Sequence, residues 1–245
     1  MGMPVTVEVV DAEADEKLLD AVFEYFEYVD TKFSTYKEES EISRINRGEI
    51  SLEEASDDMK TIFALAEKTR LETNGYFDIQ HEGAYDPSGV VKGWAIFQAA
   101  EILRENGAAN FYVDAGGDIQ MAGNNAEGEV WRVGIRNPFN PSEIVKVLSL
   151  TDCGVATSGS YVRGAHIYNP LEADDPLSEI VSLTVIGPDI LEADRIATAA
   201  FAMGRKGIFF IEAMEGFDGY MIDHLGRATY TTDFQRYLQN DQINR

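Results

Sequence analysis

The hydrophobic periodicities along the chain predict an α+β fold. Apolar residues recur at helical spacing in four blocks, short β-branched and aromatic runs fill the stretches between them, and the two kinds neither alternate strictly nor segregate. The 245 residues, 44% of them hydrophobic, can bury a full core. They read as a single domain over 1–245, or as two intimately packed subdomains, because no repeat, Pro-rich linker or sharp change in composition divides them.

Val5 to Val10 reads as a short strand. Ala14 to Phe33 follows as a helix with Leu18, Leu19, Val22, Phe23, Phe26 and Val29 on one face. A second helix spans Ala55 to Thr73 and closes at Asn74-Gly75, and a third runs from Lys92 to Asn106 with Gly107 as its left-handed stop. Strands follow at Phe111 to Asp114, Val130 to Ile135, Val145 to Leu150 and Val181 to Ile186, separated by Gly, Asn and Pro turns. A helical block from Asp194 to Met214, broken near Gly204, precedes two last strands around Gly219 to Ile222 and Ala228 to Thr232.

Twenty basic against 43 acidic residues give a net charge of −23, which argues against nucleic acid or an anionic membrane surface as partner. A phosphate ligand would need a local cation to offset that field, and a bound divalent metal is one such cation. The same acidic surface also suits solubility in a salty cytoplasm. Cys153 is the only cysteine, so there is no internal disulfide and no Cys-rich metal site; it sits in an apolar run and reads as a buried thiol. The opening Met-Gly-Met-Pro-Val-Thr-Val has no basic n-region, apolar h-region or lipid-acceptor cysteine, and no run reaches transmembrane length. The expectation is a cytoplasmic protein, or an exported one whose leader has been removed.

Four segments have the composition of a site. Thr157 to Pro170 gathers hydroxyls, glycines, an arginine and His166, a side chain whose unperturbed pKa suits proton transfer near neutrality. A strand followed by a polar loop with a satisfied histidine reads equally well there. In Ala193 to Ala200, Asp194 and Thr198 stand one helical turn apart on one face, a carboxylate and a hydroxyl suited to magnesium. An Asp that merely caps or favours a helix N-terminus would look the same. Asp86-Pro87-Ser88-Gly89-Val90-Val91-Lys92-Gly93 is a turn feeding a helix, where backbone N–H groups can meet an anion, although any loop-to-helix junction shares the pattern and no Walker A loop is present. Asp114-Ala115-Gly116-Gly117-Asp118-Ile119 is a strand end entering a diglycine turn, open to a flat ligand or simply a hairpin. His81 and His224 read as surface polar residues.

In their order these segments resemble the ApbE family of flavin transferases, the FAD:protein FMN transferases. Met1-Gly2 before a strand, Phe33-Ser34-Thr35-Tyr36, Ser40 to Asn46 and Gly75-Tyr76-Phe77-Asp78 are similar to the family's N-terminal half. Asp86 to Gly93 resembles its Asp-Leu-Gly-Gly-Ile-Ala-Lys-Gly motif, and Ala115 to Ile119 its Ala-Gly-Gly-Asp-Ile. Trp131 to Pro138, Ala156 to Tyr161 with Arg163, His166 to Pro170 and Ala193 to Ala199 continue the family order, so the likeness covers essentially the whole chain.

The resemblance implies a T-fold-like arrangement of mixed sheets packed with helices, with the FAD site between two halves. It implies Mg2+ held by Asp194, Thr198 and the main chain of Val91, and FAD as substrate. Met1, Tyr36, Asp78, Lys92, Asp118, Thr157, Ser158, Gly159 and Arg163 fall at positions that would bind the flavin nucleotide. In the implied reaction a Thr or Ser hydroxyl of an acceptor flavoprotein, a redox-complex subunit, attacks the FMN-side phosphorus of FAD, AMP leaves, and His166 accepts the hydroxyl proton. Two other outcomes fit the same motifs: hydrolysis of FAD to FMN and AMP, and flavin binding without chemistry. The chain departs from the family pattern at Ser88, Val91, Ser160, Asn169 and Glu172-Ala173, all near the implied ligand.

Overall fold

The chain opens with strand β1 (Val5–Val9) and helix α1 (Glu16–Phe33), in a computed structural model that describes residues 2–11, 16–160, 167–172 and 177–238. Helix α1 buries Val22, Phe26, Val29 and Phe33, the inward stripe of a 3.6-residue period. A short helix α2 (Glu41–Asn46) was not expected, since six residues are too few to show a period; Ser40 caps it by accepting from the Ser43 N–H. Helix α3 (Asp57–Glu72) is capped by Ser56 and ends where Asn74 and Gly75 adopt φ of 53° and 88°. A small hairpin follows, β2 (Gln80–His81) with β3 (Ala84–Tyr85).

Helix α4 (Ser88–Glu105) begins four residues before Lys92, where the sequence expectation started it. Pro87 precedes its first turn, where a missing N–H costs nothing, and buried Val90 and Val91 draw that turn into the core. Next come β4 (Phe111–Ala115), β5 (Asp118–Ala122), β6 (Trp131–Asn137), β7 (Asn140–Leu150), β8 (Gly154–Gly159) and β9 (Ile180–Gly187). Then follow helices α5 (Ile190–Ala202) and α6 (Gly207–Glu212) and strands β10 (Asp218–Asp223) and β11 (Ala228–Tyr230). Strand β5 was legible only as the exit of a turn, because it is buried on almost every residue and shows no alternation. Helix α5 starts four residues earlier than expected, at an N-cap Asp189 that accepts from the Glu192 N–H at 2.8 Å.

Seven strands form one sheet in the order β1-β4-β5-β8-β9-β10-β11, with every neighbouring pair antiparallel. The helices cover one face and bury the larger core against it. The other face carries a second apolar cluster under the two-stranded ribbon β6–β7 and the 3-10 turn Thr232–Tyr237; Met121, Trp131, Leu148, Ile186 and Phe234 belong to it. The result is a helix layer, an open sheet and a ribbon layer, an α+β architecture as the sequence predicts. Among the described residues, no helix is long and apolar enough to cross a membrane.

Candidate active site

Helices α4 and α5 approach so closely that Gly93 has no room for a side chain: a Cβ there would lie 2.7 Å from Asp194 Cβ and 2.9 Å from the Ile190 carbonyl oxygen. That approach sets Lys92 opposite Asp194. The Gly93 N–H donates to Asp194 Oδ2 at 2.8 Å, and Lys92 Nζ lies 3.2 Å from Asp194 Oδ1. The same ammonium contacts Asp118 Oδ2, and Asp118 Oδ1 accepts from the Thr157 N–H at 2.9 Å. Thr157 Oγ1 in turn pairs with Thr184 Oγ1 at 2.9 Å. Three segments that are distant in sequence thus meet in one Asp–Lys–Asp cluster.

Both carboxylates are 2% exposed. Burial pushes the Asp194 pKa up to about 6, opposed by the Lys92 ammonium, helped by the second carboxylate Asp118, and opposed again by the Gly93 N–H. Two buried carboxylates at one ammonium form a site that demands positive charge. Asp194 therefore does not cap its helix, as its place in the sequence also allowed. Asp189 caps it, and Asp194 sits a turn further in, bonded across to α4.

A cleft of about 490 Å3 opens above this cluster. Lys92, Asp118, Thr157, Ser158, Gly159, Asp194 and Thr198 border it, as does Asp78, whose Oδ1 accepts from the Gln80 N–H at 2.8 Å. Ser158 and Gly159 are buried on β8. The diglycine turn also faces the cleft. Gly116 and Gly117 have φ of 68° and 97°, and the Gly117 N–H donates to Asp114 Oδ1 at 2.8 Å. Burial raises the Asp114 pKa; the Gly117 N–H and Arg136 oppose the shift and Asp118 adds to it.

Tyr36 is 98% exposed in the turn after α1 and does not border the cleft. Val91, expected to act through its main chain, precedes Lys92 with its side chain buried in the core. Met1, Arg163 and His166 fall outside the described residues. Ile167, Tyr168 and Pro170 do border the cleft, and the Tyr168 hydroxyl donates to the Asp78 carbonyl. His81 is exposed as expected, and its ring stacks on Tyr168 with centroids 4.0 Å apart. His224 is exposed too, with Nδ1 3.1 Å from the Glu179 carbonyl oxygen. Cys153 is partly buried, and burial pushes its thiol up to about 12.

The sequence reading assigns no site role to a further wall of the cleft, where Tyr112, Trp131, Arg132, Arg136 and Ile144 stand. Trp131 anchors that wall, its Nε1–H donating to the Ala122 carbonyl at 2.9 Å and its ring set edge-on to Tyr112. Trp131 to Pro138 enters the sequence reading only as part of the family order, with no role for Arg132 or Arg136, because two arginines four apart on an exposed strand are ordinary in a sequence.

The chemistry of the donor set decides what cation suits the cluster. Among the described residues, no group of three or more His, Cys, Asp or Glu side chains is placed to hold a metal. A carboxylate and a hydroxyl one turn apart on α5, beside a second buried carboxylate, do fit a hard divalent cation that takes oxygen donors and keeps part of its water shell.

The chain is thus an antiparallel α+β domain whose cleft contains a buried Asp–Lys–Asp cluster. Solved flavin transferases share the fold. The ApbE flavin transferase of Vibrio cholerae superposes with a TM-score of 0.84 at 24% identity, covering 97% of this chain and 96% of that one. The ApbE protein of Thermotoga maritima gives 0.86 at 21% identity over 98% and 97%. A sequence model of the ApbE family matches residues 1–85 and 80–221, and this chain belongs to the ApbE family. Curated proteins named FAD:protein FMN transferase from Vibrio cholerae and Escherichia coli K12 are each 32% identical, over 138 and 169 residues. Those matches cover 52% and 64% of this chain but only 41% and 48% of the relatives, so the chain matches about half the length of these curated proteins.

Proposed function

We propose that this protein is an FAD:protein FMN transferase, moving FMN from FAD to a Thr or Ser hydroxyl of an acceptor flavoprotein with release of AMP. The observation that carries the reading is the Lys92 ammonium held between buried Asp118 and Asp194 at the floor of a cleft that Thr157 and Thr198 also border. Family membership and the names of the curated relatives support it.

In this reading Asp194, Thr198 and the Val91 main chain hold Mg2+, which when bound neutralises charge on the FAD pyrophosphate. Lys92, held between the two carboxylates, offsets part of their negative charge beside the same group. Asp118 holds Lys92 and, through the Thr157 N–H, fixes the end of β8 that lines the site. Asp78, Ser158 and Gly159 border the space for the nucleotide. His166 takes the proton of the acceptor hydroxyl as its oxygen bonds to the FMN-side phosphorus. The bond from that phosphorus to the bridging oxygen breaks, and AMP leaves with the electron pair.

The test is to incubate the protein with FAD, Mg2+ and a domain bearing a Thr acceptor, reading acceptor mass and free AMP together. An FMN-sized mass gain with equal AMP is expected. AMP without labelling would replace transfer by hydrolysis, and FAD retained with neither product would leave a binding protein.

A further inference from the structure

Trp131, Arg132, Val133 and Gly134 are successive residues of β6, and all four border the cleft. Side chains of a strand alternate between its faces, so four in a row border one space when the strand turns its edge toward it. The other edge of β6 is occupied, pairing with β7 from Trp131 with Leu150 to Asn137 with Asn140, with register shifts on either side of Arg136. Among the described residues, no strand pairs with the cleft edge. In an antiparallel pair, alternate residues send their N–H and C=O groups away from the partner. Strand β6 therefore aims a row of backbone donors and acceptors into the cavity that also contains Asp194 and Thr198.

Charge narrows what fits there. Arg132 and Arg136 are exposed on one face of β6, four residues and therefore about 13 Å apart along the strand. Among the described residues, five aspartates border the same cleft (Asp78, Asp86, Asp114, Asp118 and Asp194), and the cationic side chains there are Lys92 and these two arginines. Lys92 is already committed to Asp118 and Asp194. Charged side chains are enough to guard an edge that opens to bulk solvent. This edge opens instead into the reaction cleft, where a strand can be added next to the chemistry.

We infer that the cleft edge of β6 receives the acceptor protein as an extended segment added as a strand, with acidic side chains facing Arg132 and Arg136. The inference rests on the transferase reading and says how the acceptor is presented. Main-chain hydrogen bonds supply affinity, the two arginines select register and charge, and the hydroxyl residue is carried toward the Lys92 end of the cleft. Because antiparallel partners run in register, acids four residues apart on the incoming segment meet both arginines.

The probes are three synthetic peptides with one central Thr: one with Asp at two positions four apart, one with Lys at those positions, and the Asp peptide N-methylated at alternate backbone amides. Affinity is read by fluorescence anisotropy, and exchange of the backbone amides of 131–137 by mass spectrometry. The Asp peptide is expected to bind and protect 131–137, and the Lys and N-methylated peptides to bind about tenfold more weakly or worse. Replacing both arginines (Arg132→Glu, Arg136→Glu) should reverse the Asp and Lys preference, a reversal that misfolding cannot produce. Unprotected 131–137, equal binding of the N-methylated peptide, or no reversal would each overturn the inference. AMP release from FAD by the unaltered protein is measured alongside. Its absence, with the peptide pattern intact, would sink the transferase reading and leave the β6 peptide site standing.

Discussion

Gly93→Ala should damage the site by moving the helix that carries it. The added Cβ would lie 2.7 Å from Asp194 Cβ, 2.9 Å from the Ile190 carbonyl oxygen and 3.0 Å from Asp194 Oδ2. Relaxed carbon contacts sit at about 3.5–4.0 Å, so the overlap is on the order of 1 Å. Two of the obstructing atoms are a backbone oxygen and a side-chain stem, neither of which can rotate away. Overpacking of this kind costs about 1–3 kcal/mol, and replacing a helical Gly by Ala returns roughly 0.5–1 kcal/mol. The net is a loss of up to about 2.5 kcal/mol, or up to about 10 °C in Tm for a domain of this size.

Separating the helices also lengthens the Gly93 N–H to Asp194 bond and pulls the Asp194 carboxylate from Lys92. Cation-dependent AMP release should therefore fall more than stability does. Gly89→Ala is the control. Its Cβ meets the Phe77 ring edge at 3.0 Å and Thr198 Cγ2 at 3.3 Å, and the ring can tilt, so the Tm loss should be smaller. The assays are differential scanning calorimetry and AMP release against Mg2+ concentration. Unchanged Tm with unchanged metal dependence in Gly93→Ala would refute the close-approach argument.

Four further outcomes follow from the same structure. Asp194→Asn should lower Mg2+-dependent AMP release by about 10²-fold or more with the circular dichroism spectrum preserved; wild-type metal dependence would remove the ligand assignment. His166→Ala should slow turnover by about 10²–10⁴-fold at saturating FAD, and full turnover would end the base role. The Asp11 carboxylate, accepting from Asn110 Nδ2 and from the Asn110 and Ala109 N–H groups, is held below its ordinary pKa. Its stabilisation is complete above the unfolded-state pKa and lost as pH falls through the lower folded value, so the Tm gap between wild type and Asp11→Asn should hold above about pH 5 and close as pH falls from there toward about pH 2. A gap constant over that range would contradict the assignment. With a net charge of −23, self-repulsion should make Tm rise as KCl goes from about 0.1 M to about 1 M, where the screening length drops to about 3 Å; a flat Tm would show that repulsion is not limiting.

Part of the candidate cluster is legible in the sequence. The motif order pointed to Lys92, Asp118, Thr157 and Asp194, which the fold brings together. Tyr36, called on the same grounds, stands outside the cleft, because a short motif fixes residue identity and leaves open where its loop points. Elements with a clear period were read well: α1 shows its stripe over 18 residues. Those without one were not, such as α2, too short for a period, and β5, buried on almost every residue.

The sequence by itself determined the α+β class, the four helical blocks, the acid-rich charge and the family, because these depend on local periodicity, composition and ordered motifs. Tertiary structure alone decided that Asp194 bonds across to α4 rather than capping its own helix, that one lysine serves two buried carboxylates, and that four successive residues of β6 border the cleft. Each of those depends on a distance between residues far apart in the chain. Such distances follow from helix approach and sheet register, which emerge only when the whole core packs.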